Sequence, residues 1–93
     1  MAIQSFKCRD TQALHLRIRI ARFVNIEAVA RRKLGQLDAA FLLRDLASPP
    51  GNRLEALDRD REGQHSIRIN DQWRLCFVWT PQGPTEVEIV DYH

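Results

Sequence analysis

Residues 65–79 read HSIRINDQWRLCFVW and carry the pattern that decides the fold. Apolar and polar side chains alternate on both sides of Asn70-Asp71, as in two β-strands joined by a tight turn. One face of the second strand carries four large apolar side chains, Trp73, Leu75, Phe77 and Trp79. The pattern predicts an antiparallel hairpin with one buried face, and it places Arg74 on the opposite, uncovered face.

Two helices are predicted before this hairpin. Asp10 can cap a short helix that starts near Thr11, and Asn25 can cap a longer helix over 26–46. Apolar residues of the longer helix recur at spacings of three and four and form one face that includes Phe41. Gly35 costs about 1 kcal/mol inside a helix, which allows a bend nearby. Three basic residues lie opposite the apolar face: Arg31, Arg32 and Lys33.

Further strands are predicted at 2–7, at 53–57 and at 86–93. Between the helices and these later strands, the sequence SPPGN at 48–52 ends the long helix, because proline cannot continue it. Helices followed by hairpin-linked strands predict an α+β fold in which N-terminal helices pack on a twisted antiparallel sheet. At 93 residues, the chain is expected to form a single domain over 1–93.

The composition, 44% hydrophobic and 28% charged, is that of an ordinary soluble protein. No apolar stretch approaches the roughly 20 residues that span a bilayer, and the first residues lack a secretory signal. The expectation is therefore a cytoplasmic protein with no membrane contact. Cys8 and Cys76 have no spacing that suggests zinc, so two reduced thiols and no metal site are expected. Nucleotide-binding glycine motifs are absent, and no cofactor is expected.

Charge is unevenly distributed between the two halves of the chain. Residues 1–48 hold nine basic and four acidic side chains, a net +5, whereas residues 49–93 hold five and eight, a net −3. The basic half can face a polyanion such as RNA, or its arginines can simply form solvated helix faces. Both interpretations stay open on charge alone.

The titratable residues near Arg74 suggest a chemistry. They comprise Glu55, the charged turn at 58–62, His65, Tyr92 and His93. RNA supplies its own nucleophile, the 2′-hydroxyl, so cleavage needs a base, a cation at the phosphate and an acid for the leaving oxygen. Arginine and histidine suit these roles without metal or cofactor. The alternative is an exposed strand arginine that merely pairs with an acid.

Three stretches of the chain resemble a known family. GNRLEAL (51–57), DREGQHSIRINDQWRLCFVW (60–79) and VEIVDYH (87–93), in this order after an amphipathic helix, are similar to HigB-type toxins of bacterial toxin–antitoxin pairs. More distantly, they resemble the RelE superfamily. The similarity covers nearly the whole chain, and it is dense after Pro49. It implies the compact α+β fold of that superfamily.

The resemblance also implies an activity and partners. Such toxins are metal-independent endoribonucleases, or mRNA interferases, that cut mRNA on the ribosome and so inhibit translation. The implied partners are mRNA on the ribosome, ribosomal RNA and a helix-turn-helix antitoxin of the HigA type. Operator DNA is expected to be contacted only through the antitoxin.

By the same resemblance, the strand arginine of the family falls on Arg74, and its C-terminal Tyr-His pair falls on Tyr92 and His93. The last strand is expected to hold this pair at the rim of the site. Glu55 stands where some relatives have histidine, and it is a candidate base. The expected catalytic residues are thus Arg74, His93, Tyr92 and Glu55.

Asp58 stands where relatives commonly carry lysine, and a carboxylate near a phosphate opposes binding. Arg59 or Arg61 is expected to substitute as the cation. The basic residues expected to attract RNA from the helical half are Arg17, Arg19, Arg22, Arg31, Arg32 and Lys33. The departure at Asp58 leaves an alternative open, a catalytically weak or inactive binding module that acts through the antitoxin complex. A metal-dependent nuclease is less consistent with the sequence, because the acids at 58–62 alternate with arginines.

Overall fold

The structure, a computed structural model, describes residues 2–91. Within this range, two α-helices precede four β-strands along the chain. The helices are α1 (Arg9–His15) and α2 (Glu27–Ala39). The strands are β1 (Glu55–Ala56), β2 (His65–Arg68), β3 (Trp73–Thr80) and β4 (Gly83–Asp91). Short 3₁₀ segments lie at Ala21–Phe23, Leu43–Ala47, Pro50–Asn52 and Arg59–Arg61.

The strands form one antiparallel sheet in the order β1-β2-β3-β4. The predicted hairpin is confirmed, with Ile67 opposite Leu75 in the register of β2 and β3. Its turn is held by Asn70, whose side-chain oxygen accepts hydrogen bonds from the backbone N–H of Gln72 and of Trp73, each at 2.8 Å. An asparagine side chain that bonds the backbone two residues on stabilises such turns. The α+β class predicted from the sequence is therefore confirmed.

The helices cover one face of the sheet, as predicted. Leu34 and Leu37 of α2 and Leu14 of α1 are fully buried against Leu75 and Phe77 of β3. Trp73 also packs against this cluster and meets the ring of Phe23 edge-on at 5.5 Å. Leu75 and Phe77 are alternate residues of β3 and both belong to this cluster, so the period-two pattern correctly identified the inner face. Cys76 between them is also buried, but on the opposite face.

Both predicted caps are wrong. The residue before α1 is Cys8 and the residue before α2 is Ile26, and neither helix has a side-chain cap. Asp10 lies inside the first turn of α1 and pairs instead with Arg22 at 3.0 Å. Ile26 is buried, so hydrophobic packing rather than the side chain of Asn25 determines where α2 begins.

Helix α2 ends at Ala39, earlier than the predicted end at residue 46. The carboxylate of Asp45 accepts hydrogen bonds from the backbone N–H of Phe41 at 3.1 Å and of Leu42 at 3.0 Å. These bonds satisfy amides that would otherwise continue the helix, and the chain turns into a 3₁₀ segment. Phe41, predicted on the apolar face, is consequently 75% exposed, whereas Leu46 is buried. Gly35 lies within α2 without a break.

The predicted first strand, 2–7, is present only as an extended segment beside β4. One parallel bridge joins Phe6 to Val87, and Gln4 N–H donates to the Pro84 carbonyl at 2.8 Å. The hydroxyl of Thr11 in α1 accepts a hydrogen bond from the N–H of Ile89 at 3.0 Å and thereby ties α1 to the same strand. No helix within residues 2–91 has the length and apolar character that crossing a membrane requires.

Candidate functional site

The face of the sheet opposite the helices carries polar and charged side chains in register. Glu55 lies opposite Ser66 in the pairing of β1 and β2, and Ser66 lies opposite Cys76 of β3. Cys76 in turn lies opposite Glu88 of β4. Residues directly opposite each other project from the same side of a sheet. We call this side the outer face and define it by Glu55, Ser66, Arg68, Arg74, Cys76 and Glu88.

Arg74 is held in one position on the outer face. Its Nε donates to the hydroxyl of Ser66 at 2.8 Å, and its Nη2 donates to the backbone carbonyl of Arg53 at 2.8 Å. The same Nη2 lies 3.4 Å from a carboxylate oxygen of Glu55. Only 13% of the Arg74 side chain is exposed. The guanidinium is thus oriented in advance, which limits the reorganisation needed to bind an anion.

The carbonyl that orients Arg74 belongs to a residue in an unusual backbone conformation. Arg53 follows the 3₁₀ segment Pro50–Asn52 and has φ 47° and ψ 55°, in the left-handed region. Such a conformation is uncommon for residues other than glycine and is often found at functional sites. The side chain of Arg53 is itself exposed, next to β1.

A second cation, Arg61, lies on the outer face near β4. Its Nη1 is 2.9 Å from the Glu88 carboxylate and donates to the side-chain oxygen of Gln64 at 3.2 Å. Lys7 approaches the same carboxylate at 3.8 Å. Arg61 is therefore positioned by Glu88, and Glu88 balances part of the positive charge at this end of the site.

Arg59 and Asp58 lie in the charged turn between β1 and β2, and both are exposed. Arg59 has a positive φ of 55°. Asp58 precedes the 3₁₀ segment Arg59–Arg61 but forms no side-chain cap there. Of the two arginines expected to replace the missing lysine, Arg61 contacts another outer-face residue, whereas Arg59 extends from the turn.

Cys76 lies beneath these charges and is fully buried. Burial raises the pKa of its thiol to about 11, with Arg61 and Arg74 opposing the rise and Glu88 and Glu55 adding to it. The thiol is therefore protonated at neutral pH and serves as packing for the charged layer above it. No group of three or more metal-ligating side chains converges anywhere within residues 2–91.

The three basic residues of α2 do not form one exposed surface, and the predicted placement is wrong for Lys33. Its ammonium donates to the side-chain oxygen of Asn52, and Lys33 is buried with 7% exposure. Burial lowers the pKa of Lys33, and the charges of Arg32 and Arg68 lower it further. Asn52 also donates to the carbonyl of Leu46 at 3.0 Å. Lys33 lies inward because its partner, Asn52, is itself fully buried.

The other two α2 residues differ in exposure. Arg31 pairs with Glu27 at 2.8 Å and donates to the Leu14 carbonyl at 3.2 Å, whereas Arg32 is exposed. Because α2 covers the inner face of the sheet, this helix lies on the side away from Arg74. The predicted RNA-binding residues thus fall into two separate groups, one beside the outer face and one on the helical side.

Tyr92 and His93, predicted to be catalytic, lie outside the described residues. They follow Asp91, the last residue of β4, which lies opposite Trp73, the neighbour of Arg74 in β3. His65 belongs to the inner side of the sheet, because it lies opposite Phe77 and stacks on that ring at 6.3 Å.

Four further contributors to the site did not enter the sequence-based prediction: Arg53, Ser66, Cys76 and Glu88. The sequence did indicate Ser66 and Cys76, because the alternation of apolar and polar residues places both on the same face of the hairpin as Arg74. The bond from Arg74 to the Arg53 carbonyl and the Arg61–Glu88 ion pair join positions that are distant in sequence. The alternation of residues along a strand cannot indicate such contacts.

Comparison with known proteins identifies relatives at three levels. A family model described as the RelE-like toxin of the type II toxin–antitoxin system HigB matches residues 10–93. Toxin HigB-1 of Vibrio cholerae serotype O1 is 51% identical over 55 residues, which cover 59% of this chain and 58% of that protein. An uncharacterized protein of Haemophilus influenzae is 42% identical over 55 residues, covering 59% of this chain and 54% of that protein.

The matched stretch thus spans somewhat more than half the length of these two curated relatives. Among solved structures, a YoeB/ParE toxin from Agrobacterium tumefaciens aligns over 100% of both chains with a TM-score of 0.56 and 18% sequence identity. At this identity, the similarity concerns the fold. It agrees with helices packed on a four-stranded antiparallel sheet.

Proposed function

Because the chain belongs to the HigB-like family of RelE-type toxins from type II toxin–antitoxin systems, we propose that it is a ribosome-dependent mRNA endonuclease. The observation that supports this proposal is the fixed guanidinium of Arg74. It is bound by Ser66 and by the carbonyl of Arg53 on the face of the sheet that the helices leave uncovered. A planar, permanently charged donor held in this way suits a phosphodiester oxygen.

In the proposed reaction, the 2′-hydroxyl of the RNA attacks the adjacent phosphorus and the bond to the 5′-oxygen breaks. Arg74 stabilises the charge that develops on the phosphate. Glu55 is the candidate base for the 2′-hydroxyl proton, because its carboxylate is 51% exposed and lies beside Arg74. His93 supplies a proton to the leaving oxygen, and Tyr92 stacks on or orients a base. The product is a 2′,3′-cyclic phosphate.

The cations around this centre have separate roles in the proposal. Arg61, positioned by Glu88, and Arg59 in the charged turn bind the RNA backbone next to the scissile phosphate. The exposed Arg32 and the half-buried Arg31 attract ribosomal RNA from the helical side. The proposed regulator is a HigA-type helix-turn-helix antitoxin, through which the toxin reaches operator DNA. The proposed place of action is the cytoplasm, on translating ribosomes.

A second candidate function is a binding module that no longer cuts RNA. It is favoured by the carboxylates that already accompany the site cations, Glu55 beside Arg74 and Glu88 beside Arg61. Each pair lowers the positive potential offered to a phosphate. Growth after expression without antitoxin separates the two functions. The nuclease arrests growth, and the binding module does not.

The test of the proposed nuclease is to map mRNA 5′ ends in a translating extract, with and without ribosomes, for the wild-type chain and for Arg74→Ala. We expect cuts only on translated message. Loss of Arg74 should reduce cleavage roughly 100-fold, the usual scale for losing one oriented donor to a developing oxyanion. Arg74→Lys should recover a minor part of the activity, because lysine keeps the charge but lacks the planar fork.

Arg44→Ala is the matched control, because it removes an exposed arginine of the 3₁₀ segment Leu43–Ala47, outside the sheet that carries Arg74. Circular dichroism of Arg74→Ala establishes whether the loss of its bonds to Ser66 and Arg53 unfolds the sheet. A folded Arg74→Ala variant that cuts translated mRNA at the wild-type rate would contradict the proposal.

A further inference from the structure

The segment LRIRI (residues 16–20) links α1 to the 3₁₀ segment Ala21–Phe23 and exposes apolar side chains. Leu16 is 63% exposed and Ile18 is 54% exposed, and Val24 just beyond is 42% exposed. Residues 18–20 belong to neither a helix nor a strand, and Ile20 has extended backbone angles, φ −118° and ψ 122°. Leu16 (φ −84°, ψ 12°) and Arg17 (φ 68°) form the turn that ends α1. Residues 18–20 that follow have the composition of a β-strand, with extended angles at Ile20, but no neighbouring strand in the described part of the chain.

Two backbone hydrogen bonds hold residues 18–20 within the described part of the chain. Ile18 N–H donates to the Ala13 carbonyl at 2.9 Å, and the Ile20 carbonyl accepts from Phe23 N–H at 3.0 Å. Within residues 2–91, neither the N–H nor the C=O of Arg19 has a backbone hydrogen-bond partner.

Cations surround the segment. The Arg19 side chain is 75% exposed and lies 4.0 Å from Glu27, while Arg17 is exposed and forms no ion pair within the described residues. Arg17 also lines a pocket of about 130 Å³ together with His15, Arg31 and Gly35. The acids nearby are already occupied, since Glu27 pairs with Arg31 and Asp10 with Arg22. A ligand with carboxylates complements this surface.

We propose that residues 18–20 bind an extended, acidic peptide segment as an added β-strand, with the N–H and C=O of Arg19 forming the bridge. Exposed strand backbone of this kind is a template for pairing with another chain. Apolar side chains of the peptide cover Leu16, Ile18 and Val24, and its carboxylates meet Arg17 and Arg19. The source of this peptide is the antitoxin, and this part of the inference rests on the proposed function.

The alternatives fit the same surface less well. RNA can contact the guanidinium groups of Arg17 and Arg19, but it leaves the exposed Leu16 and Ile18 without the apolar cover that a peptide side chain provides. A second copy of this chain pairing through the same residues brings Arg17 and Arg19 against their own equivalents. Like charges directly opposite each other destabilise a strand pair. An acidic polypeptide avoids both difficulties.

The test measures amide hydrogen exchange by NMR on the full chain, with three probes in turn. The probes are a synthetic peptide that alternates valine and glutamate, a peptide of equal length that alternates valine and lysine, and a single-stranded RNA. We expect the valine–glutamate peptide to slow exchange of the Arg19 amide about tenfold. A tenfold slowing corresponds to a protection free energy of roughly 1.4 kcal/mol. The other two probes should leave this amide unchanged.

Two substitutions in the segment and one control accompany the measurement. Ile18→Asp and Arg19→Glu should lose the protection of the residue 19 amide. Leu42→Asp, which changes a leucine of 48% exposure beyond the end of α2, should retain it. Failure of the valine–glutamate peptide to slow the Arg19 amide would overturn the proposal. So would equal slowing by RNA, or slowing that rises with protein concentration in the absence of peptide.

This measurement does not depend on mRNA cleavage. A chain that cuts no mRNA but still protects the Arg19 amide with the acidic peptide contradicts the proposed function and supports the docking segment. A chain that cuts mRNA but shows no protection contradicts the docking segment alone.

Discussion

Individual residues on the outer face depend on groups that are distant in sequence. Arg74 is positioned by the hydroxyl of Ser66 and by the carbonyl of Arg53, and Arg61 is positioned by Glu88. On the same face, burial raises the pKa of the Cys76 thiol to about 11. Cys8, the residue immediately before α1, has a lowered pKa instead and provides an internal comparison.

The two thiols should differ in alkylation rate. For Cys8, burial raises the pKa, but hydrogen bonds from Thr11 and from the backbone of Asp10, together with the charge of Arg22, outweigh it and lower the net pKa from 9.0. At pH 8, a pKa of about 11 for Cys76 leaves so little thiolate that iodoacetamide should modify Cys8 more than about 100-fold faster. Mass spectrometry of the native chain measures both rates. In urea the rates should converge, and equal rates in the native chain would contradict the buried position of Cys76.

The helical element α2 shows how a periodic pattern can overestimate the length of a helix. Apolar spacing continues as far as Leu46, but Asp45 binds the amides of Phe41 and Leu42 and the helix stops at Ala39. Leu46 still reaches the core because the 3₁₀ segment Leu43–Ala47 carries it there. The pattern thus identified the buried residue correctly while assigning it to the wrong element.

Continuity of α2 through Gly35 can be tested by substitution. A methyl group at Gly35 would meet no atom within 4 Å, so Gly35→Ala should raise the free energy of unfolding by about 1 kcal/mol through helix propensity. Gly63 also has open space but a φ of +89°, so Gly63→Ala should lower the free energy of unfolding by about 1 kcal/mol. Urea unfolding measures both. A destabilising Gly35→Ala would mean that α2 is interrupted at this position.

At the scale of the molecule, the sheet separates two charged surfaces. The exposed Arg32 lies on the helical side, in the half of the chain with net charge +5, and the outer face lies on the other side with its cations partly balanced by acids. Under the proposed function, one surface attaches to the ribosome and the other binds the scissile phosphate. The two functions should be separable by mutation.

Arg32→Glu should weaken binding to ribosomes while leaving the residues around Arg74 unchanged. Replacing one phosphate-contacting cation should reduce the slope of log K against log salt by about 1, and the reversed charge should reduce it further. Sedimentation with ribosomes over a series of salt concentrations measures this slope. Arg9→Glu, the same change at an exposed residue of α1, is the control. Equal effects of the two substitutions would indicate general attraction rather than a contact at Arg32.

The sequence by itself determined the α+β class, the antiparallel hairpin and the outward position of Arg74. These features follow from local rules, because alternation within β3 decides which side is buried and Asn70 decides where the chain turns. Tertiary structure alone decided the burial of Lys33 against Asn52, 19 positions away, and the binding of Arg74 to the carbonyl of Arg53, 21 positions away. Hydrogen bonds of this kind join groups that only the packed chain brings together, so no local pattern encodes them.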